Sequence, residues 1–137
     1  MNYSPEPGVV EALAALKPYG LKIGVVSNSP FSGSVLSWEL QEHGLLDGID
    51  FVLSSADCGL QKPHPLLFSL GVWQLGLSPS AVWFMGDTLD YDVVGALKAA
   101  LWAVWYNRHH SQGGGVVPHA EVGSWEEFTA LVQRYLN

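Results

Sequence analysis

Residues 81–92, Ala81-Val82-Trp83-Phe84-Met85-Gly86-Asp87-Thr88-Leu89-Asp90-Tyr91-Asp92, decide the fold. The run from Ala81 to Met85 is apolar without alternation, the pattern of a short strand buried on both faces. Gly86-Asp87 stops it, and Tyr91 to Ala100, rich in small residues, reads as the helix that follows. The same strand-then-helix unit recurs on either side. Leu21-Lys22-Ile23-Gly24-Val25-Val26 stops at Ser27-Asn28-Ser29-Pro30, and Ser32 to Gly44 reads as a helix with Val35, Leu36, Leu40 and His43 on one face. Phe51-Val52-Leu53 precedes a helix from Pro65 to Gly76, with Leu66, Leu67, Leu70, Trp73 and Gln74 in its helical rows. Trp102 to Tyr106 is another buried-type strand. Ahead of them, Pro7 opens a helix through Val9, Val10, Leu13 and Leu16 that Pro18 and Gly20 end. Behind them, a helix from Trp125 to Leu136 is capped by Ser124. Strands are predicted at about residues 21–27, 51–54, 81–86 and 102–106, with a short fifth near 120–122. Continuous apolar strands alternating with helices predict an α/β fold, a three-layer Rossmann-like parallel sheet with helices on both faces.

Composition narrows the function. The chain has 137 residues, one domain's worth. Hydrophobic residues make up 48% and charged residues 14%, against a usual charged share of about 25%, which excludes intrinsic disorder. The net charge of -7 and the lack of a basic cluster speak against nucleic acid as a partner. No segment reaches the roughly 18 apolar residues of a membrane helix, so no membrane partner is expected. The start, Met1 to Pro7, lacks a basic stretch followed by an apolar one, so the expected address is cytoplasmic. On that ground the sequon Asn2-Tyr3-Ser4 is read as chance. The single cysteine, Cys58, excludes a disulfide within the chain and reads as a small buried thiol. The tryptophans on strands (Trp83, Trp102, Trp105) and on a helix (Trp73) read as core. His109-His110 lack the spaced partner that a zinc site needs, and His43, His64 and His119 read as structural or exposed.

In a parallel α/β sheet, ligands bind beyond the carboxyl ends of the strands. The residues there are Ser27-Asn28, Asp57, Asp87 and Asn107. Ser27 and Asn28 offer a hydroxyl, an amide and backbone N–H groups to an anionic oxygen. Asp87, with Asp92 five positions on, offers oxygen ligands to a hard cation such as Mg²⁺. Lys62, in Gln61-Lys62-Pro63-His64-Pro65, is a point charge suited to phosphate or carboxylate. A hydroxyl, a lysine and two acids around one pocket describe a phosphate-plus-Mg²⁺ site.

In their order, these segments resemble the haloacid dehalogenase-like (HAD) superfamily, mostly Mg²⁺-dependent phosphatases. Pro7-Gly8-Val9-Val10-Glu11-Ala12-Leu13 resembles the helix that leaves the family's cap. Val25-Val26-Ser27-Asn28 resembles its second motif, Lys62-Pro63 with Phe68 its third, and Gly86-Asp87-Thr88 with Asp92, Gly95 and Ala96 its fourth. Ala120 to Phe128 is similar to its last strand and helix. The resemblance implies that Ser27, Asn28 and Lys62 hold a phosphoryl group and that Asp87 and Asp92 form the Mg²⁺ site. It covers nearly all of residues 1–137, read as a single, partial core domain.

One motif of the family is missing. Its first motif is an apolar strand ending in Asp-x-Asp, which carries the nucleophile and lies centrally in the sheet. Here Asp90-Tyr91-Asp92 is the sole Asp-x-Asp, and it belongs to the fourth motif. The cap is missing as well, so the sequence resembles the C-terminal part of a HAD protein. A central strand buries about five side chains worth roughly 1.5–3 kcal/mol each, comparable to a whole domain's stability of about 5–15 kcal/mol. Three readings follow: the C-terminal part of a phosphohydrolase for a small phosphorylated metabolite, a non-catalytic descendant that binds a phosphorylated ligand or a protein, or one half of a split enzyme. In each, this chain alone lacks an aspartyl nucleophile. Unpaired strands flanking the gap also predict self-association, such as a homodimer. The alternative is that the flanking strands close up and pair directly.

Overall fold

The structure, a computed structural model, describes residues 6–137. The tripeptide Asn2-Tyr3-Ser4 and most of the start that set the cytoplasmic expectation lie outside them. Five strands form: β1 (Gly24–Ser27), β2 (Phe51–Ser54), β3 (Trp83–Gly86), β4 (Trp102–Tyr106) and β5 (Ala120–Val122). The helices are α1 (Val9–Leu16), α2 (Gly33–Glu42), α3 (Ser55–Cys58), α4 (Pro65–Leu75), α5 (Val94–Lys98) and α6 (Trp125–Leu136). β1 starts later than expected because the carboxylate of Asp50 accepts from Ile23 N at 2.6 Å and Ile23 O accepts from Asp50 N, a local turn pairing that precedes the ladder. β3 starts at Trp83 because Pro79–Ala81 coil into a 3₁₀ turn.

All observed pairings are parallel, but they form two sheets. β1 pairs with β2 from Gly24↔Phe51 to Ser27↔Ser54. β3 pairs with β4, and β4 with β5, in a second sheet. β1 and β3 do not pair with each other. Between them lies a cavity of about 560 Å³, lined by Gly24, Val25 and Val26 on one side and by Trp83, Phe84 and Met85 on the other. The expected gap in the sheet is therefore present, and the flanking strands have not closed over it. α4 lines the cavity through Phe68 and Val72, and α1 and α6 line it through Leu13 and Phe128. The free edges of β1 and β3 thus face a slot flanked by helices rather than open solvent.

The alternation along β4 shows how the layers are held. Trp102, Val104 and Tyr106 pack toward α6, while Ala103 and Trp105 pack toward α4 and α5. Trp83 stacks on Trp102 at 4.1 Å between ring centroids, and His119 stacks on Trp102 while its Nδ1 accepts from Ala103 N. On the other face, the fully buried Phe68 meets the edge of Phe84 at 4.8 Å. α6 is capped as expected: Ser124 Oγ accepts from Glu127 N at 3.1 Å, and Glu127 reaches back to Gly123 N.

Two helices turn differently from their apolar rows. α4 buries Leu67, Phe68, Gly71, Val72 and Leu75, and leaves Leu66 and Trp73 exposed, Trp73 by 71%. The buried side faces β1, with Gly71 lying against Val26 and Phe51. α2 turns Leu36 and Leu40 inward and leaves Val35 and Trp38 exposed. Cys58 is half-buried in a single helical turn and lies outside the core.

The start of the Tyr91–Ala100 helix also differs. Leu89–Val93 form one π-helical turn, and α5 continues from Val94 to Lys98. Gly95 of α5 lies under the Phe68 ring, where an added Cβ would come 2.2 Å from Cε2. Gly95→Val is therefore expected to destabilise the fold by roughly 1–3 kcal/mol through overpacking. A lower urea midpoint with an unchanged slope would record it.

Candidate active site at the end of the slot

The carboxyl ends of β1 and β3 lie at the same end of the molecule, and three side chains join them. Asn28, just past β1, clamps the lysine loop at two points. Its Oδ1 accepts from Lys62 N at 2.7 Å, and its Nδ2 donates to Lys62 O at 3.2 Å. The Lys62–Pro63 peptide is cis. The Lys62 ammonium then crosses to Asp92 Oδ1 at 2.6 Å, 5.9 Å from the centre of the Phe84 ring. Asp92 Oδ2 accepts from both the N–H and the hydroxyl of Thr88, at 3.1 Å each. Asp92 is buried, with 3% of its surface exposed.

The backbone makes this possible locally. The π-helical turn lets the N–H groups of both Asp92 and Val93 donate to Thr88 O, which swings Asp92 back beneath Gly86. There an added Cβ at Gly86 would lie 2.2 Å from Asp92 Cγ, so the strand must end in glycine. π-Turns of this kind are frequent at functional sites.

The charges balance unevenly. Burial pushes the Asp92 carboxyl up, but the Lys62 ammonium and the Thr88 donors more than offset it and hold it below the usual value of 3.8. Asp87 behaves in the opposite way. Partial desolvation, reinforced by the neighbouring Asp92 carboxylate, raises its carboxyl. Its side chain remains accessible at the end of the slot, which Lys62, Asp87 and Asp92 line together. Ser27 ends β1 directly after Val26, half-buried and paired with Ser54.

The other residues at strand ends serve the scaffold. Asp57 Oδ2 accepts from Gly33 N at 2.7 Å and so caps α2. Asn107, 4% exposed, donates to Ser111 O and to Glu121 and accepts from Ser111 N. His64 Nδ1 accepts from Leu66 N at the start of α4. Two contributors escape a reading of the sequence. Thr88 holds Asp92, a role that its position four residues ahead could have suggested. Trp105 donates its indole N–H to Asp87 O at 3.0 Å, and nothing local in the sequence signals that.

No group of three His, Cys, Asp or Glu that could hold a metal occurs among the described residues. Mg²⁺ commonly uses only one or two carboxylates and keeps several waters. Asp87 suits that role, whereas both oxygens of Asp92 are already engaged. The donor set fits the ion with Asp87 as ligand and Asp92 as its support. No helix among the described residues is long and apolar enough to cross a membrane.

Residues 1–105 match the model of the haloacid dehalogenase-like hydrolases, and the chain belongs to that family. It is 33% identical over 134 residues to the pyrimidine 5'-nucleotidase YjjG of Escherichia coli, covering 96% of this chain and 58% of that protein. It is 32% identical over 105 residues to the glyceraldehyde 3-phosphate phosphatase of Methanopyrus kandleri, covering 76% of this chain and 44% of that protein. Among solved structures it resembles a HAD phosphatase from Thermococcus onnurineus, with a TM-score of 0.83 and 30% identity, over 92% of this chain and 57% of that one. The chain thus spans about half the length of the relatives it matches.

Lys62→Met would leave Asp92 buried without its counter-charge, which typically costs about 3–5 kcal/mol. The sign of the pH dependence should also reverse. In the parent chain the Asp92 carboxyl is depressed, so its stabilisation is present at neutral pH and is lost as the pH falls through its low folded value. In the variant burial dominates and raises that carboxyl, so the deficit should be largest at neutral pH and shrink on acidification. Urea titrations of both chains at several pH values measure this.

Proposed function

We propose that this chain is the phosphate- and Mg²⁺-binding part of a phosphohydrolase acting on a small phosphorylated metabolite in the cytoplasm. The observation that carries the reading is the link from Asn28 through Lys62 to Asp92, which joins the ends of β1 and β3 beside Asp87. The names of two relatives, a nucleotidase and a triose phosphate phosphatase, support a phosphorylated small molecule as substrate.

The roles follow from chemistry. Ser27 would offer its hydroxyl to a phosphoryl oxygen, and Asn28 its backbone N–H, because the Asn28 side chain is engaged by the lysine loop. Lys62, held by Asp92, would present a fixed positive charge to the same group. Asp87 would hold Mg²⁺, which when bound offsets the charge of the phosphoryl oxygens. Asp92 would orient Lys62 and Thr88 rather than touch the ion. None of these groups belongs to the family's Asp-x-Asp first motif, so the 137 residues alone are expected to bind without turning over.

Two measurements test this. The purified chain with Mg²⁺ and a generic aryl phosphate is expected to show no turnover above buffer, and turnover that Asp87→Ala abolishes would overturn that expectation. Calorimetry is expected to detect weak Mg²⁺ binding, reduced at least about tenfold in Asp87→Asn, which removes the exposed carboxylate that lines the end of the slot. Equal affinity in both chains would take Asp87 out of the site.

A further inference from the structure

We infer that the open groove between the lysine loop and the stretch from Tyr91 to Lys98 binds the oxyanion group of a small molecule, a phosphate or a carboxylate, at a place separate from the candidate active site. The inference stands on the groove's own side chains and does not rest on the hydrolase reading.

The groove has a volume of about 730 Å³. Gln61, Lys62 and His64 line it from the loop, Tyr91 from the π-helical turn and Lys98 from the end of α5. It shares only Lys62 with the slot between β1 and β3, and Ser27, Asp87 and Asp92 do not line it. Its lining holds two lysines and no carboxylate, in a chain with 13 acidic residues against 6 basic ones. A net charge of -7 repels anions from most of the surface, so an anion that binds needs a place of this kind. The two lysines differ. The Lys62 ammonium is engaged by Asp92 at 2.6 Å. Lys98 is exposed and belongs to none of the ion pairs among the described residues, which join Lys17 to Asp47, His43 to Glu39, Lys62 to Asp92 and Arg108 to Glu6. It brings to the groove a positive charge that no carboxylate among the described residues offsets.

The remaining polar groups are able to donate. His64 Nδ1 accepts from Leu66 N at 3.1 Å, so the neutral ring carries its proton on Nε2 and donates there. Gln61 offers its amide, and Tyr91, 53% exposed, its hydroxyl. The Asn28 side chain adds no donor, because its two polar atoms hold Lys62 N and Lys62 O. That clamp has another effect. Together with the bond from His64 N to Gln61 O at 2.9 Å, it fixes the loop on both sides of Lys62. Gln61 and His64 are thus held before a ligand arrives, and little ordering of the loop opposes binding. An ammonium with hydroxyl, amide and imidazole donors around it suits an oxyanion, which accepts from all of them. A cation would meet Lys98 without a carboxylate to offset it, and an apolar ligand would strip water from that charge without replacing it. A polyanion such as a nucleic acid backbone is repelled by the rest of the chain. Small-molecule sites span about 300–1,000 Å³, so the groove has room for the body of the molecule that carries the anion.

The test is an NMR titration of the isotope-labelled chain, without Mg²⁺, with inorganic phosphate and separately with malonate. Sodium chloride at matched ionic strength is the blank. Saturable shifts are expected at the Gln61, Tyr91 and Lys98 amides and at the His64 ring, with no counterpart in chloride. A response to phosphate alone assigns the groove to phosphate esters, a response to malonate alone assigns it to carboxylates, and a response to both assigns it to either group. Lys98→Gln is expected to weaken binding at least about fivefold, as loss of a charged donor does, and Lys98→Arg to keep it within about twofold of the parent chain, because the charge remains. Shifts that chloride reproduces, shifts undiminished in Lys98→Gln, or no shift with either anion would overturn the inference. Shifts confined to Ser27 would place the anion in the candidate active site, overturning this inference and leaving the hydrolase reading intact. Ser27→Ala is expected to leave the groove's titration unchanged, so a failure of that reading would leave this result standing.

Discussion

The 2.6 Å contact between the Lys62 ammonium and Asp92 holds together what the backbone leaves apart. β1 and β3 share no ladder hydrogen bonds, so the two sheets meet through helices and through this ion pair. Lys62 is fixed to β1 by Asn28, and Asp92 is fixed to the turn after β3 by Thr88. An ion pair buried this deeply gains little net energy unless its remaining lone pairs and protons are satisfied. Here Asp92 accepts three hydrogen bonds, from Lys62 and from two Thr88 donors. The arrangement is therefore directional as well as attractive, and it sets the distance between the two strand ends.

From that link follow the site and the slot. The candidate site lies where the link crosses, because the link joins the residue after β1 to the turn after β3. The slot lies behind it, between β1 and β3. Asp87 illustrates the consequence. Its carboxyl stays outside the ion pair, raised by desolvation and by the Asp92 charge. Trp105 steadies the same residue through its backbone carbonyl, so the strand that forms the core of the second sheet also sets the position of the acid.

The glycines of this end serve the same purpose. Gly86 gives the Asp92 carboxylate its space, and Gly95 gives the Phe68 ring its space. Phe68 in turn packs against Phe84, the residue over which the Lys62 ammonium lies. Packing and electrostatics are thus coupled through one short stretch, residues 84–95. The left-over polar residues at the strand ends, Asp57 and Asn107, were legible as strand-end groups, but the fold uses them to cap α2 and to hold the turn after β4.

By itself the sequence determined the α/β class, the order of strands and helices and the cap of α6 by Ser124, and it proposed Ser27, Asn28, Lys62, Asp87 and Asp92 as a candidate site. Those features are local or carried by short motifs: a period in the apolar residues, a capping residue, a glycine after a strand. It also pointed to the gap, through the missing first motif of the resemblance. Tertiary structure alone decided which face of α4 turns inward, since that face packs on β1, which is distant in the chain. It decided that the Asn28 side chain serves the lysine loop, that Asp92 is engaged by Lys62 and Thr88, and that Trp105 reaches Asp87. Each of these is a contact between residues distant in the chain, and no periodicity or spacing encodes which of several polar partners a side chain meets when the layers close.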